Sequence, residues 1–565
     1  MKTRYLIFLF TLWGLCSCNE SSWLKEEVKD FYAPDNSYTT SEQFRKAANY
    51  LYDNLRYMHF HRQDANLLMY LSTDMAHIGT DYPDLGFNNL NNVLTANSGG
   101  SGYWEVSYRV IANANIIIDR LETAEQVNET ERNKFRGEAL FFRGWYYNYL
   151  ANLYGGVPLV LHEEKEPRRD YIRASRDEVY EQAAKDLREA ANLLPDADDM
   201  PDGSANKQAA QHVLAEALIS LRQWDEAIEA ASAVINHPKM ALMTQRFGSC
   251  KTHEPGDPYW DLFQMNNQNR STSGNTETIM AFQFEYQNSG STYGSMMHRL
   301  LLPFYLNAKV EGKDGSKVLA FKDITDEKGG RGIGSIQPVN YFFNELWGDD
   351  FDKDLRNSSY MIVRDFKIDN PDAKGYGQWI VKDGWLQEED KIRHFYPFIM
   401  KFSPIGQLPN DVYAKNADGS IKTTPMGEKV LNYTGWVDGP ANWSYKDEYF
   451  LRLGGTYLLR AEAYLGKGEK DKAADDINKL RDRAQASHVS GNDIDIDFIL
   501  DEYMRELYFE TFRMPLLCRL GKEVERARKY NPCGVNVGDH QNLFPIPYSE
   551  IERNIFGKIE QNPGY

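Results

Sequence analysis

The sequence predicts a mostly α fold: a scaffold of antiparallel helical hairpins, with an irregular, loop-rich subdomain carrying short strands inserted into it. Three observations predict it. Apolar residues recur at helical spacing through most of residues 41–238 and again after 447. Two pairs of short helices, Asn206–Leu221 with Trp224–Asn236 and Phe450–Leu465 with Asp471–Ala484, are joined by tight turns and carry small residues at the contact. Between about Lys239 and Lys446 helical periodicity fades, and Gly, Asn, Asp and Tyr rise.

Residues 1–17 read as a targeting segment. Lys2 and Arg4 precede an apolar run, Tyr5–Leu15, that is too short to span a bilayer. The run ends in Leu15-Cys16-Ser17-Cys18, which resembles a bacterial lipobox and makes Cys18 the lipidation candidate; an ordinary secretory signal cut nearby is the alternative. Residues 18–40 then form a lipidated tether.

The helical scaffold is expected over 41–238. Ser41 is its first N-cap, with Phe44, Ala47, Leu51 and Leu55 on one face. A second helix is expected near Ala65–Met75. Residues 76–103 are a long loop, and loops of that length inside a compact domain tend to be functional or disordered. Trp104–Leu121 is the next helix, with Trp104, Tyr108, Ile111, Asn115 and Ile118 buried. In Phe135–Val160, Leu140, Phe141, Phe142, Trp145, Tyr146, Tyr149, Leu150 and Leu153 cover most of a helix circumference, so this helix should be buried on nearly all sides. Gly155 and Gly156 allow it to end, and Pro158 prevents continuation. Arg176–Leu194 follows, then the first short pair. A helical pair with small residues at its contact resembles a tetratricopeptide unit. Phe135–Val160 with Arg176–Leu194, and the Ser41 and Trp104 helices together, supply two further pairs.

Within 239–446, Thr278–Tyr286 and Tyr360–Ile368 read as strands and Gln378–Leu386 as a hairpin over Asp383-Gly384. Six of the chain's 11 tryptophans fall here, namely Trp260, Trp347, Trp379, Trp385, Trp436 and Trp443. Rings on Gly-rich loops in that number cannot all be core. Residues 447–565 return to the scaffold with the second short pair, a closing helix over Asp497–Leu520 and a tail.

Chemistry is conspicuous by what is missing. There is no HExxH, GxSxG or GxxxxGK[ST], and no EF-hand pattern. Gly330, Gly332 and Gly334 read as a flexible loop, because Ile336–Pro338 opens a helix poorly. The five cysteines, Cys16, Cys18, Cys250, Cys518 and Cys533, make neither a disulfide framework nor a zinc cluster. No cofactor and no metal are expected. A net charge of −18 repels phosphate backbones and excludes nucleic acid as a partner. Glu510 and Arg513 are expected to form a structural i,i+3 pair. Aromatic residues make up 13% of the chain, more than core packing requires, and suggest flat surfaces offered to a ligand.

The string EALFFRGWYYNYLANLYGGVPLV from Glu138, ELYFETFR from Glu506, and the tail PIP…QNPGY resemble the RagB/SusD family of nutrient-binding lipoproteins of the Bacteroidetes outer membrane. Leu516 and Pro515 depart from it, since the family carries Asp at the first position. The resemblance implies a non-catalytic protein, lipid-anchored in the outer membrane and facing the cell surface. It implies a glycan ligand, oligo- or polysaccharide, handed to a TonB-dependent transporter of the SusC type. It also places the ligand where the 76–103 loop meets the irregular subdomain, which selects Asp81, Tyr82, Trp379, Trp385 and Arg393. Two other readings stay open at this point: a member that binds peptides or another nutrient, and a surface glycoside hydrolase.

Overall fold

The computed structural model describes residues 37–61, 67–79, 86–98, 100–287, 294–390, 393–403, 406, 408–433 and 440–565. Cys18 with its lipobox, the tether as far as residue 36, Asp81, Tyr82 and Trp436 lie outside the described residues. Described helices of eight or more residues are numbered α1 (Ser41–Arg56), α2 (Ser101–Leu121), α3 (Glu129–Tyr154), α4 (Arg176–Leu193), α5 (Lys207–Ser220), α6 (Trp224–Ile235), α7 (Leu453–Lys467), α8 (Lys470–Ala484), α9 (Ile496–Leu507), α10 (Arg513–Leu520) and α11 (Glu523–Tyr530). The strands are β1 (Ala76–His77), β2 (Thr278–Phe282), β3 (Lys309–Glu311), β4 (Lys317–Leu319), β5 (Gln337–Pro338), β6 (Ile362–Val363), β7 (Phe398–Ile399) and β8 (Glu448–Arg452). They form two-stranded antiparallel ribbons, β1–β5, β2–β8, β3–β4 and β6–β7.

The helices stack in chain order. α1 lies on α2 and α3, α3 on α4, α4 on α5, α5 on α6 and α7 on α8. α6 also packs on α7, so the array is continuous across the long insertion. The array is a series of helical hairpins with an inserted irregular subdomain, the architecture the sequence predicts. α3 is its centre: Phe141, Phe142, Tyr146, Tyr147, Leu150, Leu153 and Tyr154 are all fully buried. Asn128 caps it by accepting the Glu131 N–H at 3.0 Å, and Gly155, at φ +74°, ends it. Gly137 and Gly144 let α4 approach. A Cβ on Gly144 would sit 2.7 Å from Leu187 Cγ, and one on Gly137 would sit 2.8 Å from Leu194 Cγ. Gly144→Val should therefore lower the unfolding free energy in urea by about 2 kcal/mol through overpacking. Arg143 closes the same contact with a bidentate pair to Asp186 at 2.7 and 2.8 Å, and also donates to Asn115 Oδ1 and Leu161 O.

Buried ions join the insertion to the frame. Arg452, at the end of β8, meets Glu277 (2.8 Å), Glu506 (2.5 Å) and Glu510 (2.7 Å). Arg483 meets Glu277 and Glu506, and Arg356 meets Asp354, Glu502 and Glu506. Lys401 reaches Glu510 at 2.5 Å. Each ion has a counter-ion and further hydrogen bonds, the condition under which buried charge is tolerated.

Several local expectations are corrected. Thr40, not Ser41, caps α1, because its hydroxyl and the Gln43 side chain form a reciprocal box. Residues 69–75 form turns and bends in place of the expected Ala65–Met75 helix. Their polar groups are taken by the C-terminal helices: Met69 O accepts from the N–H groups of Arg513 and Met514, and Asn531 donates to Thr73 O and Ala76 O. Phe450 lies in β8 and not in a helix, since Glu448–Arg452 pairs with β2. The closing helix is two helices, α9 and α10, with a break at 508–512 where Phe509 adopts φ +59°. That break separates Glu510 from Arg513. Glu510 pairs with Arg452 and Lys401, and Arg513 with Asp74. Pro515 falls in the first turn of α10, where a missing N–H costs little. Leu516 packs on an apolar cluster with Leu458, Ile477 and Tyr503, while Arg519 forms its pair with Glu462 of α7. The glycines at 330–334 are packed and not loose: a Cβ on Gly332 would meet Pro303 O at 2.0 Å. Gln378–Leu386 is a chain of turns without paired strands, joined to its neighbour by a single bridge from Trp379 to Lys367.

Candidate functional site

The irregular subdomain has its own apolar core of Leu302, Tyr305, Val310, Phe321, Ile380, Phe395, Phe398 and Met400. Two surfaces rest on it. The first is the neck of the 76–98 loop. β1 pairs with β5, and the chain leaves through Ile78 and Gly79. It returns at Gly86, where Ser72 Oγ donates to Phe87 O and the Asn88 side chain both accepts from Ile78 N (3.0 Å) and donates to Ile78 O. Gly79 is pressed so closely against the insertion that a Cβ would lie 2.8 Å from Gly334 O and 3.1 Å from Arg393 Cγ. Arg393 is partly buried, donates from Nε to Ile333 O at 2.7 Å, and lays its guanidinium over the Phe304 ring at 5.2 Å. The Phe304 N–H donates to Arg393 O, and His394 stands 6.2 Å from the same ring. Arg393 is thus brought to the neck of the segment that carries Asp81 and Tyr82 in the sequence.

The second surface is an aromatic platform. Trp379 and Tyr376 are each 38% exposed, while the backbone beneath them is tied down. Ile368 N donates to Gln378 O, Ile380 N to Phe366 O, and the N–H groups of Val381 and Lys382 to the two oxygens of Asp365. Lys367 Nζ lies 5.5 Å from the Trp379 ring centre. Trp385 is half-buried. Its ring lies against Gly375, where a Cβ would come within 2.5 Å, and its indole N–H donates to Gln378 Oε1 at 2.7 Å. Trp385 therefore seals one side of the platform while Trp379 presents a face. Rigid backbone under an exposed ring is what stacking on a sugar's C–H face requires.

The remaining tryptophans divide differently from the simple expectation. Trp260, Trp347 and Trp443 belong to the main core. Trp347 donates its indole N–H to Phe342 O at 2.7 Å, and Trp260 sits under Arg246 and His253. Sequence reading missed Phe304, His394, Tyr376 and the half-exposed Tyr433, over which Arg331 lies at 4.8 Å. Only their aromatic character on a loop was visible, and that is shared with the buried rings.

Burial first, then the neighbouring Asp326, push Glu327 up to about 8. Asp326 is buried and accepts from the Tyr413 hydroxyl at 2.8 Å. A cavity of about 130 Å³ inside the helical frame is lined by Trp145, Asn148, Tyr503 and Arg519. Asn148 Oδ1, Tyr503 Oη and Arg519 Nε make no hydrogen bond within the protein, although Arg519 Nε lies 3.9 Å from Glu216 Oε1. It has room for a few waters, and it lies apart from both surfaces.

Comparisons with known proteins agree with this architecture. Residues 23–218 match a family profile described as "Starch-binding associating with outer membrane", and residues 262–565 match one described as "SusD family". SusD-like protein P2 of Formosa agariphila is 24% identical over 585 residues, covering 100% of each chain. Starch-binding protein SusD of Bacteroides thetaiotaomicron is 33% identical over 130 residues, 22% of this chain and 23% of that one. Among solved structures, a laminarin-binding SusD-like protein superposes with a TM-score of 0.63 at 21% identity, covering 94% of this chain and 100% of that one. Surface glycan-binding protein A of Bacteroides thetaiotaomicron, solved with laminarihexaose, gives 0.63 at 17% identity, covering 93% and 100%. At such identities the structures establish the fold, and with one profile spanning more than half of its length the chain belongs to the SusD family.

Proposed function

We propose that this protein captures a glycan at the outer surface of the outer membrane and hands it to a TonB-dependent transporter of the SusC type, without catalysis. Cys18 carries the lipid anchor. Trp379 stacks on a sugar face, Trp385 and Lys367 brace it, and Arg393 with Asp81 and Tyr82 takes hydroxyls at the loop neck. The observation that carries this reading is the exposed, backbone-braced Trp379–Tyr376 platform on a scaffold shared with laminarin- and laminarihexaose-binding relatives. An aromatic platform with a polar margin recognises sugars; a peptide site is a deeper cavity with backbone partners.

The test is calorimetry on the soluble chain that begins at Asn19, against laminarihexaose, maltohexaose and a mixed peptide pool. A glycan should bind, and Trp379→Ala should weaken it by about tenfold or more, the scale of losing one well-placed aromatic contact. Binding to the peptide pool alone would replace the glycan by a peptide ligand. Shortening of either oligosaccharide on incubation would restore the hydrolase reading.

A further inference from the structure

Five helices converge on the cavity of about 130 Å³ inside the frame: α3 brings Asn148, α5 Glu216, α7 Leu459, α9 Tyr503 and α10 Arg519. Its polar corner is fixed in place and incomplete. Asn148 donates from Nδ2 to Glu216 Oε1 at 3.0 Å, which leaves its Oδ1 as an acceptor. Arg519 spends both terminal nitrogens on Glu462, at 2.8 and 2.6 Å, which leaves its Nε–H as a donor. The Tyr503 hydroxyl lies within electrostatic reach of the same Glu462 and Arg519 and of Glu216. Asn148, Tyr503 and Arg519 are only 2%, 7% and 8% exposed, and a buried polar atom without its hydrogen bond is costly. Three such atoms in one corner call for a guest that completes their bonds.

The rest of the wall is apolar or already engaged. Trp145, Tyr149, Phe450, Leu459, Phe512 and Leu516 supply the apolar side. Its rings hold one another: Trp145 stacks on Tyr149 at 5.2 Å, and Phe512 stacks on His59 at 4.2 Å. Asn152 is taken by Glu216 and Tyr180, His212 by Thr456, and Arg452 by Glu510. The volume would hold roughly four waters, each needing about two to four polar partners. Waters gathered at three open atoms leave the aromatic side poorly served. A dry cavity of similar size, about 150 Å³, admits benzene.

Charge narrows the guest further. An anion would face Glu216, and a cation would face Arg519, 3.9 Å away from it. Burial pushes the imidazoles of His59 and His212 down to about 4, so neither is a cation at neutral pH. A neutral guest meets none of these penalties. Glu216, with a side chain 27% exposed, and the half-buried Leu516 are wall residues that reach solvent, which gives a small molecule a way in between α5 and α10.

We propose that this cavity is a further binding site, separate from the sugar platform, for a small neutral molecule with a flat apolar body and one hydroxyl or amide group. That group accepts from Arg519 Nε and donates to Asn148 Oδ1, with the Tyr503 hydroxyl as third partner, while the body lies along the aromatic side. The site stands whether or not Trp379 binds a glycan. Its occupant bears on the stability of the frame, because Arg452 and Glu510 of the buried ion network share the wall.

The experiment titrates benzyl alcohol into the soluble chain that begins at Asn19, read by ligand-observed NMR and by the thermal midpoint, with benzoate and benzylamine as charged counterparts. Benzyl alcohol should saturate a single site and raise the midpoint, as a ligand of the folded chain does. Benzoate and benzylamine should bind at least about tenfold more weakly. Tyr503→Phe keeps the shape of the wall and should weaken benzyl alcohol by about three- to tenfold, the scale of one hydrogen bond. Leu459→Phe fills the cavity and should abolish saturable binding. Laminarihexaose should titrate both variants as it does the wild type. Binding that never saturates overturns the site, and so does saturable binding left undiminished by Tyr503→Phe, even should Leu459→Phe fail to fold. Equal affinity for either charged counterpart overturns the neutral class of guest. A wild type that ignores laminarihexaose but takes benzyl alcohol overturns the laminarin-type glycan at the platform and supports the cavity site.

Discussion

Glu506→Gln should be the most damaging single substitution in the frame, lowering the unfolding free energy in urea by about 4 kcal/mol. Glu506 is fully buried and, among the described residues, is the one carboxylate shared by Arg452, Arg483 and Arg356. An amide of the same shape removes the charge the three guanidiniums share and leaves Arg483 only Glu277, Arg452 only Glu277 and Glu510, and Arg356 only Asp354 and Glu502 as counter-ions out of water. The charge state follows from the same geometry. Burial alone would raise the Glu506 carboxyl, but Arg483, Arg452 and Arg356 overcome it and hold the group well below the usual carboxylate range. Glu502 behaves likewise: burial opposes ionisation, and Arg356, Arg505 and Arg481 bring it down to about 2. A carboxyl depressed on folding contributes stability that is complete above its unfolded value of 4.5 and is lost as pH falls towards the folded value. The thermal midpoint of the wild type should therefore fall steeply between about pH 4.5 and 2. In Glu506→Gln that part of the profile should be shallower. A profile of unchanged slope in the variant would show that Glu506 is not the ion on which the network turns.

Asp74→Ala should cost nearly as much, about 3–5 kcal/mol, and its effect should reach the candidate site. Asp74 is fully buried and takes Arg513 at 2.8 and 2.6 Å and Arg526 at 2.5 Å. It stands just before β1, which sets the neck where Gly79 meets Arg393. Hydrogen exchange read by mass spectrometry should accordingly speed up around Ile78 and Asn88 at temperatures where α3 remains protected. Equal acceleration in both places would mean that Asp74 supports the whole frame and not the loop in particular.

These two sites also show which features are legible in the sequence alone. The helical array was legible because its signal is local: the aromatic circumference of α3 and the small residues of the α5–α6 and α7–α8 hairpins are visible in windows of one or two helices. The stretch at 69–75 was misread because its conformation is set by Asn531 and by the start of α10, far along the chain. The same holds for Glu510 and Arg513, whose spacing suggests a helix pair until the break at Phe509 sends them to Lys401 and Asp74. In the irregular subdomain, Trp347 and Trp379 look alike in sequence. One is covered because Phe342 packs against its ring and accepts its indole N–H, and the other remains open because Asp365 and Phe366 hold its turn at the surface. Arg393 could be singled out only through the family resemblance, and its neighbour Phe304 not at all, since their contact joins distant segments.

The β2–β8 ribbon has a consequence for how such a chain can change over generations. Phe282 and Glu448 leave and rejoin the frame side by side, and Arg452 clamps Glu277 at that doorway. Lengthening a chain between two fixed ends adds little closure entropy, since the cost grows only with the logarithm of length. Much of the span between those strands is packed into the frame, Phe342, Trp347, Trp443, Arg356 and Lys401 among it, so it is the remainder, the turns around Trp379 included, that can be recast by insertion or exchange while α6 still finds α7. New specificity can then be grafted at one stem without renegotiating the fold that carries it.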